Sequence, residues 1–246
     1  MIPKTIHQIW LGGLHARPSC VRQAMGMIEA AAEKGGYAYR VWTEADLPEL
    51  DLASLAQIRP YAALADAMRY RIINRQGGYY IDADCEPAFE ALVLPADRPI
   101  FLINSHQSKR YFNTVMGGQA GHPLIAAVDQ AAEAVLHRIA AGERLTGDVG
   151  HLVGVGLLYR HAKRLKIPAR PFPRWMAHYD ARAPLHHKRP HTWKGQAIRL
   201  APCDPSDLPD EVTVCIGYTG RKYETMARTL ARTLARLLDV PFTIVD

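Results

Sequence analysis

The segment 65–86, ADAMRYRIINRQGGYYIDADCE, gathers the side chains best able to do chemistry. Asp82 and Asp84 are separated by one residue at the end of the apolar run Tyr79-Tyr80-Ile81. Side chains two apart on an extended backbone point to the same side, so the two carboxylates are expected to converge. Neighbouring carboxylates repel, and each resists ionisation unless a cation lies between them or water separates them. An oxygen-only pair of this kind suits Mg²⁺ or Mn²⁺, ions that commonly share their shell with a substrate's phosphates. An isolated Asp-x-Asp also occurs in solvated turns. Here the pair follows an apolar strand, which itself follows a Gly-Gly stop after a helix, and that context makes it a candidate site.

Asp66 and Arg69 stand three residues apart and share one helical face. On a surface such a pair contributes at most a few tenths of a kcal/mol. The neighbours Ala62-Ala63-Leu64-Ala65 and Ala67-Met68 are small and apolar, as in a buried helix. A charged pair in that setting needs a reason, and a polar ligand is one.

The elements that would position these groups follow from pattern and punctuation. Residues 2–11 are β-prone and end at Gly12-Gly13, a first strand. A helix is expected over 18–34, a strand over 37–42, and a short helix capped by Thr43. A loop containing Pro60 precedes a helix over 61–75 that stops at Gly77-Gly78. Strands follow at 79–81 and 99–103; Pro123 opens a helix running to about residue 140, and another helix spans about 149–165. Residues 167–209 hold eight prolines and read as irregular structure with short strands. An amphipathic helix over 223–239 and a strand over 242–245 close the chain. Strands alternating with helices in the first half predict an α/β fold with a mostly parallel central sheet.

Four blocks occur in order: Ile2-Pro3-Lys4-Thr5-Ile6-His7-Gln8-Ile9-Trp10-Leu11-Gly12, Tyr39-Arg40-Val41-Trp42, Ala65-Asp66-Ala67-Met68-Arg69-Tyr70 and Gly77-Gly78-Tyr79-Tyr80-Ile81-Asp82-Ala83-Asp84. In these the chain resembles the DXD-containing sugar transferases, the group that includes yeast-type Golgi mannosyltransferases and bacterial capsule or lipopolysaccharide transferases. The glucosyltransferase domains of large clostridial toxins are more distant relatives. The resemblance covers about the first 125 residues and fades after Asn113 and Gly121-His122-Pro123.

It implies a GT-A-like (Rossmann-like) fold in one domain over 1–246, with a nucleotide-sugar-binding core over about 1–125 and an acceptor or closing region over about 126–246. It implies a nucleotide-sugar donor (a UDP- or GDP-sugar), a divalent metal (usually Mn²⁺, or Mg²⁺), and transfer with retention to a saccharide, glycolipid or protein acceptor. Asp84 would bind the metal; Asp82 would face the ribose or donor sugar and reach the metal directly or through water. Asp66 and Arg69 would hold sugar hydroxyls or phosphate. Trp10 would stack on the base, with Ile9 and Leu11 beside it as further donor-binding positions; core packing is the other reading of Trp10, and Trp42 is assigned to the core. Family members usually carry Thr-Gly-Pro where this chain has Thr146-Gly147-Asp148. Their late His/Trp/Ser-rich segment has its nearest counterpart in 186–194, where His191 would be a further metal ligand and Lys188, Arg189 and Trp193 phosphate contacts. A solvated basic loop accounts for the same residues.

Composition limits the alternatives. Of 246 residues, 48% are hydrophobic and 22% charged, ordinary globular usage that excludes disorder and coiled coil. No uninterrupted apolar stretch is long enough for a membrane span, and the opening residues lack a signal-peptide layout, so a cytoplasmic protein is expected. The net charge of +6 favours anionic partners. Four scattered cysteines without a CxxC pair argue for reduced thiols rather than zinc. No GxSxG, P-loop or HExxH is present. Arg228, Arg232 and Arg236 edge the last helix, which either packs on the domain or lies against the inner face of an acidic membrane. A nucleic-acid-binding module lacks any RNP, KH or helix-turn-helix pattern, so no nucleic acid is expected. A protein-modifying, toxin-like transferase and a catalytically silent nucleotide-sugar binder remain as rivals.

Overall fold

The computed structural model describes residues 1–13, 17–87, 89–104 and 111–167, together with the backbone of three short strands beyond them. All belong to one compact unit, Met1–Ala201. The last helix and strand expected from the sequence lie outside the described residues, as do Lys188, Arg189, His191 and Trp193.

The chain runs β1 (Thr5–Ile9), α1 (Ser19–Lys34), β2 (Ala38–Trp42), β3 (Ile58–Arg59), α2 (Tyr61–Gln76), β4 (Gly78–Ile81), β5 (Cys85–Pro87), β6 (Ile100–Asn104) and β7 (Tyr111–Gly118). It continues with α3 (Pro123–Ala140), α4 (Val149–Leu152), α5 (Val155–Arg164), β8 (Arg170–Pro171), β9 (Leu185–His187) and β10 (Arg199–Leu200). One open sheet has the order β2-β1-β4-β7-β6-β8. β2, β1 and β4 are parallel; β7 runs against both β4 and β6; β8 is parallel to β6. Five strands thus share a direction and β7 opposes them, so the sheet is α/β and mostly parallel, as the alternating pattern predicts. The helix expected over 149–165 is broken at Val153-Gly154 into α4 and α5.

Period-two alternation along the strands builds a core on each face of the sheet. Ile6, Tyr79, Ile81, Phe101, Ile103 and Val115 join Ile28, Ala31 and Ala32 of α1. Ile9, Tyr80, Leu102 and Met116 join residues of α2, α3 and α5 on the other face. Helix α2 is buried almost continuously from Ala63 to Ile73, as expected of a helix covered on all sides. Its charges are paired inside: Arg71 bonds Asp129 of α3 at 2.9 Å and the carbonyl of Leu50 at 2.8 Å. Among the described residues no helix is long and apolar enough to cross a membrane.

Two of the sequence blocks interlock. Gly77 and Gly78 have φ of +68° and +94°. A Cβ on Gly77 would meet Pro3 at 2.9 Å, and one on Gly78 would meet the Thr5 carbonyl at 2.7 Å and His7 Nε2 at 2.8 Å. The glycines therefore let β4 dock on the opening strand. Gly78→Ala combines a left-handed backbone with overpacking, and is expected to cost about 2–5 kcal/mol in a urea melt. A loss within a few tenths would show that β1 yields there.

His7 is the buried joint of this contact. Trp42 Nε1 donates to His7 Nδ1 at 3.2 Å, and His7 Nε2 lies 3.0 Å from the Gly77 carbonyl, so the ring is the neutral Nε2–H tautomer. Burial is the main cause that brings its pKa down to about 4, against the bond to Gly77. The unfolded chain then takes up the proton first. His7's contribution to stability is whole above pH 6.5 and is lost as pH falls towards 4, about 3 kcal/mol in all. Ring-carbon NMR is expected to show a neutral imidazole to about pH 4; a midpoint at the ordinary 6.5 would contradict this joint.

Candidate active site at the carboxyl edge of the sheet

The connections place a crevice. From β1 the chain crosses through α1 to β2 on one side; from β2 it crosses through α2 to β4 on the other side of β1. The two helices cover opposite faces of the sheet. Such a reversal opens a cleft beyond the carboxyl ends of the two central strands, here β1 and β4, and ligands of open α/β sheets bind there. The residues immediately beyond those ends are Trp10-Leu11-Gly12 and Asp82-Ala83-Asp84.

Trp10 is half-exposed, donates its indole N–H to the Gly13 carbonyl at 3.0 Å, and takes no part in either core. Trp42 is fully buried, as assigned. Ile9 and Leu11 turn their side chains into the core, so these two positions offer a ligand mainly backbone. Gly12 N donates to Glu44, which fixes the loop after β1.

Beyond β4 the backbone turns instead of staying extended: Cys85 N donates to the Asp82 carbonyl at 3.1 Å. The alternation rule used to place Asp82 and Asp84 on one side therefore does not apply here. Both carboxylates nevertheless act on the Cys85 thiol, whose pKa burial and these charges push well up. Gln8 ties the turn to β1 by donating to the Asp82 carbonyl at 3.1 Å, while Tyr39 donates to Gln8 Oε1 at 2.6 Å.

Asp66 and Arg69 form no surface pair; both are buried, with Arg69 Nη2 3.1 Å from Asp66 Oδ1. Arg69 Nη1 also lies 3.0 Å from Asp82 Oδ1 and donates to the Asn113 carbonyl at 2.7 Å. Its guanidinium stacks on Tyr80 at 4.4 Å, and the Tyr80 hydroxyl donates to Asp82 Oδ1 at 2.8 Å. Asn113 Nδ2 reaches both Asp66 Oδ1 at 2.8 Å and the Tyr70 hydroxyl at 3.0 Å. A Cβ on Gly154, at the start of α5, would sit 2.7 Å from Asp66 Oδ2, so only glycine fits against this carboxylate.

One guanidinium thus serves two carboxylates, and the trio carries a net negative charge at the crevice. Burial raises the Asp66 pKa to about 6, against Arg69, with Asp82 adding to the rise. In the linkage Asp66 opposes His7, because its folded pKa lies above the unfolded value of 3.8; it adds stability as pH falls from about 6 to 3.8. The same neighbours, Tyr80 and the two carboxylates first among them, outweigh burial and raise Arg69 further, so it stays charged.

Sequence reasoning brought Asp66, Arg69, Asp82 and Asp84 into one region, and the structure joins the first three directly. It missed Asn113, Tyr80 and Gln8, because a polar side chain on a strand gives no spacing signal, and Tyr70, which reads as an ordinary apolar position of α2. It also missed β7, whose Gly117 gives way to the Tyr79 ring, 2.5 Å from where a Cβ would stand. Of the late basic segment only the backbone of 186–187 is described: β9 pairs with β5 so that His187 is the register partner of Cys85, next to Asp84.

No protein-family model matches the chain, and no curated protein sequence matches it. Among solved structures the chain is similar to the PaToxG glycosyltransferase, with 18% identity and a TM-score of 0.48 over 68% of this chain and 70% of that one. It is similar to a glycosyltransferase involved in the glycosylation of the major capsid of PBCV-1, with 13% identity and a TM-score of 0.44 over 75% and 92%. It is also similar to the ligand-free glycosyltransferase domain of the YGT toxin, with 9% identity and a TM-score of 0.43 over 70% and 80%. At such identities and TM-scores the likeness decides nothing about chemistry.

Proposed function

We propose that the protein is a GT-A-like, metal-dependent glycosyltransferase that moves a sugar from a UDP- or GDP-sugar to a saccharide, glycolipid or protein acceptor. The observation that supports this best is the Asp66–Arg69–Asp82 trio at the carboxyl edge of β1 and β4, with Trp10 and Asp84 on either side of the same crevice.

Trp10 offers an aromatic face for the base at the end of β1. Asp82, held by Arg69 and Tyr80, and Asp66, held by Asn113, are fixed acceptors for the hydroxyls of ribose and sugar. Preorganised acceptors of this kind lower the cost of orienting the donor. Arg69 spends four of its five N–H groups on Ala65, Asn113, Asp66 and Asp82. Its work in this reading is to position the two carboxylates.

Among the described residues no group of three His, Cys, Asp or Glu side chains could hold a metal by itself. An Mg²⁺ or Mn²⁺ ion that shares its shell with phosphates needs only one or two protein carboxylates. Half-buried Asp84 fits that requirement, with Asp82 contributing through its second oxygen or through water. When bound, the ion supplies neutralisation of charge on the departing diphosphate.

Titration calorimetry with UDP and GDP tests the donor side of the reading. Binding that appears with Mn²⁺ and vanishes with chelator is expected. No binding of either nucleotide under both conditions would sink it.

A further inference from the structure

Arg17 is an anomaly among the described arginines. Arg69 and Arg71 are buried against carboxylates, and Arg59 is held by two carbonyls and the Tyr61 hydroxyl. Arg40 and Arg75 are ion-paired, as is Arg138; Arg22, Arg98, Arg144, Arg160 and Arg164 are exposed to water. Arg17 is half-buried and makes no ion pair with any described residue. Its one hydrogen bond to a described residue, 3.3 Å, goes to the thioether of Met25, a weak acceptor. Its Nε is wholly out of solvent with no hydrogen-bond partner among the described residues. A buried donor left in that state costs free energy, and a charged one more.

Its position gives the cost a purpose. Arg17 ends the connection from β1 and stands two residues before α1. That first βα connection lies at the carboxyl edge, where α/β folds receive phosphates. No side chain caps α1 and no acidic residue occupies its first turn. The charge of Arg17 is felt at the Tyr39 hydroxyl, where burial raises the pKa, Glu29 adds to the rise and Arg17 opposes it. Tyr39 bonds Gln8, and Gln8 bonds the carbonyl of Asp82. The hydrogen bonds of Tyr39 and Gln8 run from the α1 side of the sheet, where Arg17 stands, to the turn at Asp82, which Arg69 holds from the α2 side. Glu29 is exposed and forms no ion pair with Arg17.

We propose that Arg17 is an oxyanion-binding residue whose missing partner is a phosphate of the donor's diphosphate. This rests on the nucleotide-sugar reading above. In that role it would offer the leaving group a fixed cation independent of any metal, and its fork geometry suits two phosphate oxygens.

Arg17→Met, of similar length and apolar, separates this from a structural role. Affinity for UDP or GDP is expected to fall about 10- to 100-fold, the worth of a charge-assisted hydrogen bond or two. Affinity for uridine or guanosine is expected to stay unchanged, and the melting temperature to stay level or rise, because a buried donor without a partner is removed. Arg17→Lys should recover part of the diphosphate affinity. An unchanged diphosphate affinity, an equal loss for nucleoside and diphosphate, or a lowered melting temperature without loss of affinity would each overturn the assignment while leaving the transferase reading intact. If the wild-type protein binds no nucleotide, the transferase reading fails, and inorganic pyrophosphate becomes the probe. Pyrophosphate binding that Arg17→Met removes would keep the oxyanion role; none would end it.

Discussion

Asp84→Ala is expected to leave a folded protein that no longer releases nucleoside diphosphate, with a rate lower by about a thousandfold or more. The size follows from what the side chain would hold. Asp84 stands in the turn beyond β4, half-buried and next to the strand that pairs with β9. If Asp84 holds a divalent ion, losing that ion would remove the largest stabilisation of charge on the leaving diphosphate, a contribution of several kcal/mol. The same substitution touches no core: a turn residue of intermediate exposure should cost little in stability. Donor hydrolysis and a thermal melt on the same sample separate the two effects. An unchanged rate in a folded variant removes Asp84 from the site.

Arg69→Met is expected to give the largest loss of stability of any substitution at the site. It leaves Asp66 and Asp82 without their shared cation, and breaking a buried pair from one side costs about 3–5 kcal/mol. Arg69 is 7% exposed and Asp66 is 4% exposed, so water replaces little of what is lost. Adding Asp66→Asn should restore much of the stability, because the remaining buried charge is then relieved. If the trio binds the donor, that double variant folds but stays inactive. A double variant that regains both stability and turnover would make the trio purely structural.

Much of the fold was legible because its signals are local. Gly77-Gly78 ended α2, Pro123 opened α3, and β-prone composition marked β1, β2 and β4. β7 was not legible, since its Gly117 makes room for the Tyr79 ring of another strand and its Gly118 for Ile73 and Ile125 of two helices. Nor was the break at Gly154, which packs against the carboxylate of Asp66, 88 positions earlier in the chain. At the site, Asp66 and Arg69 stood out as charges in an apolar helix, but the partners that explain them, Asn113 and Tyr80, lie on neighbouring strands. The turn at Asp82 shows the limit of periodicity: a rule for extended backbone fails one residue past the strand's end. Arg17 carries no motif at all. Only the loss of solvent and partner at its Nε marks it, and both arise from tertiary packing.

The most direct test of the central claim is release of nucleoside diphosphate from a panel of UDP- and GDP-sugars, with Mn²⁺ and with chelator, in the presence and absence of simple saccharide acceptors. Release from one donor that requires the metal and is lost in Asp84→Ala is the expected result. Metal-independent release, or no release together with no Mn²⁺-dependent nucleotide binding, would contradict the account.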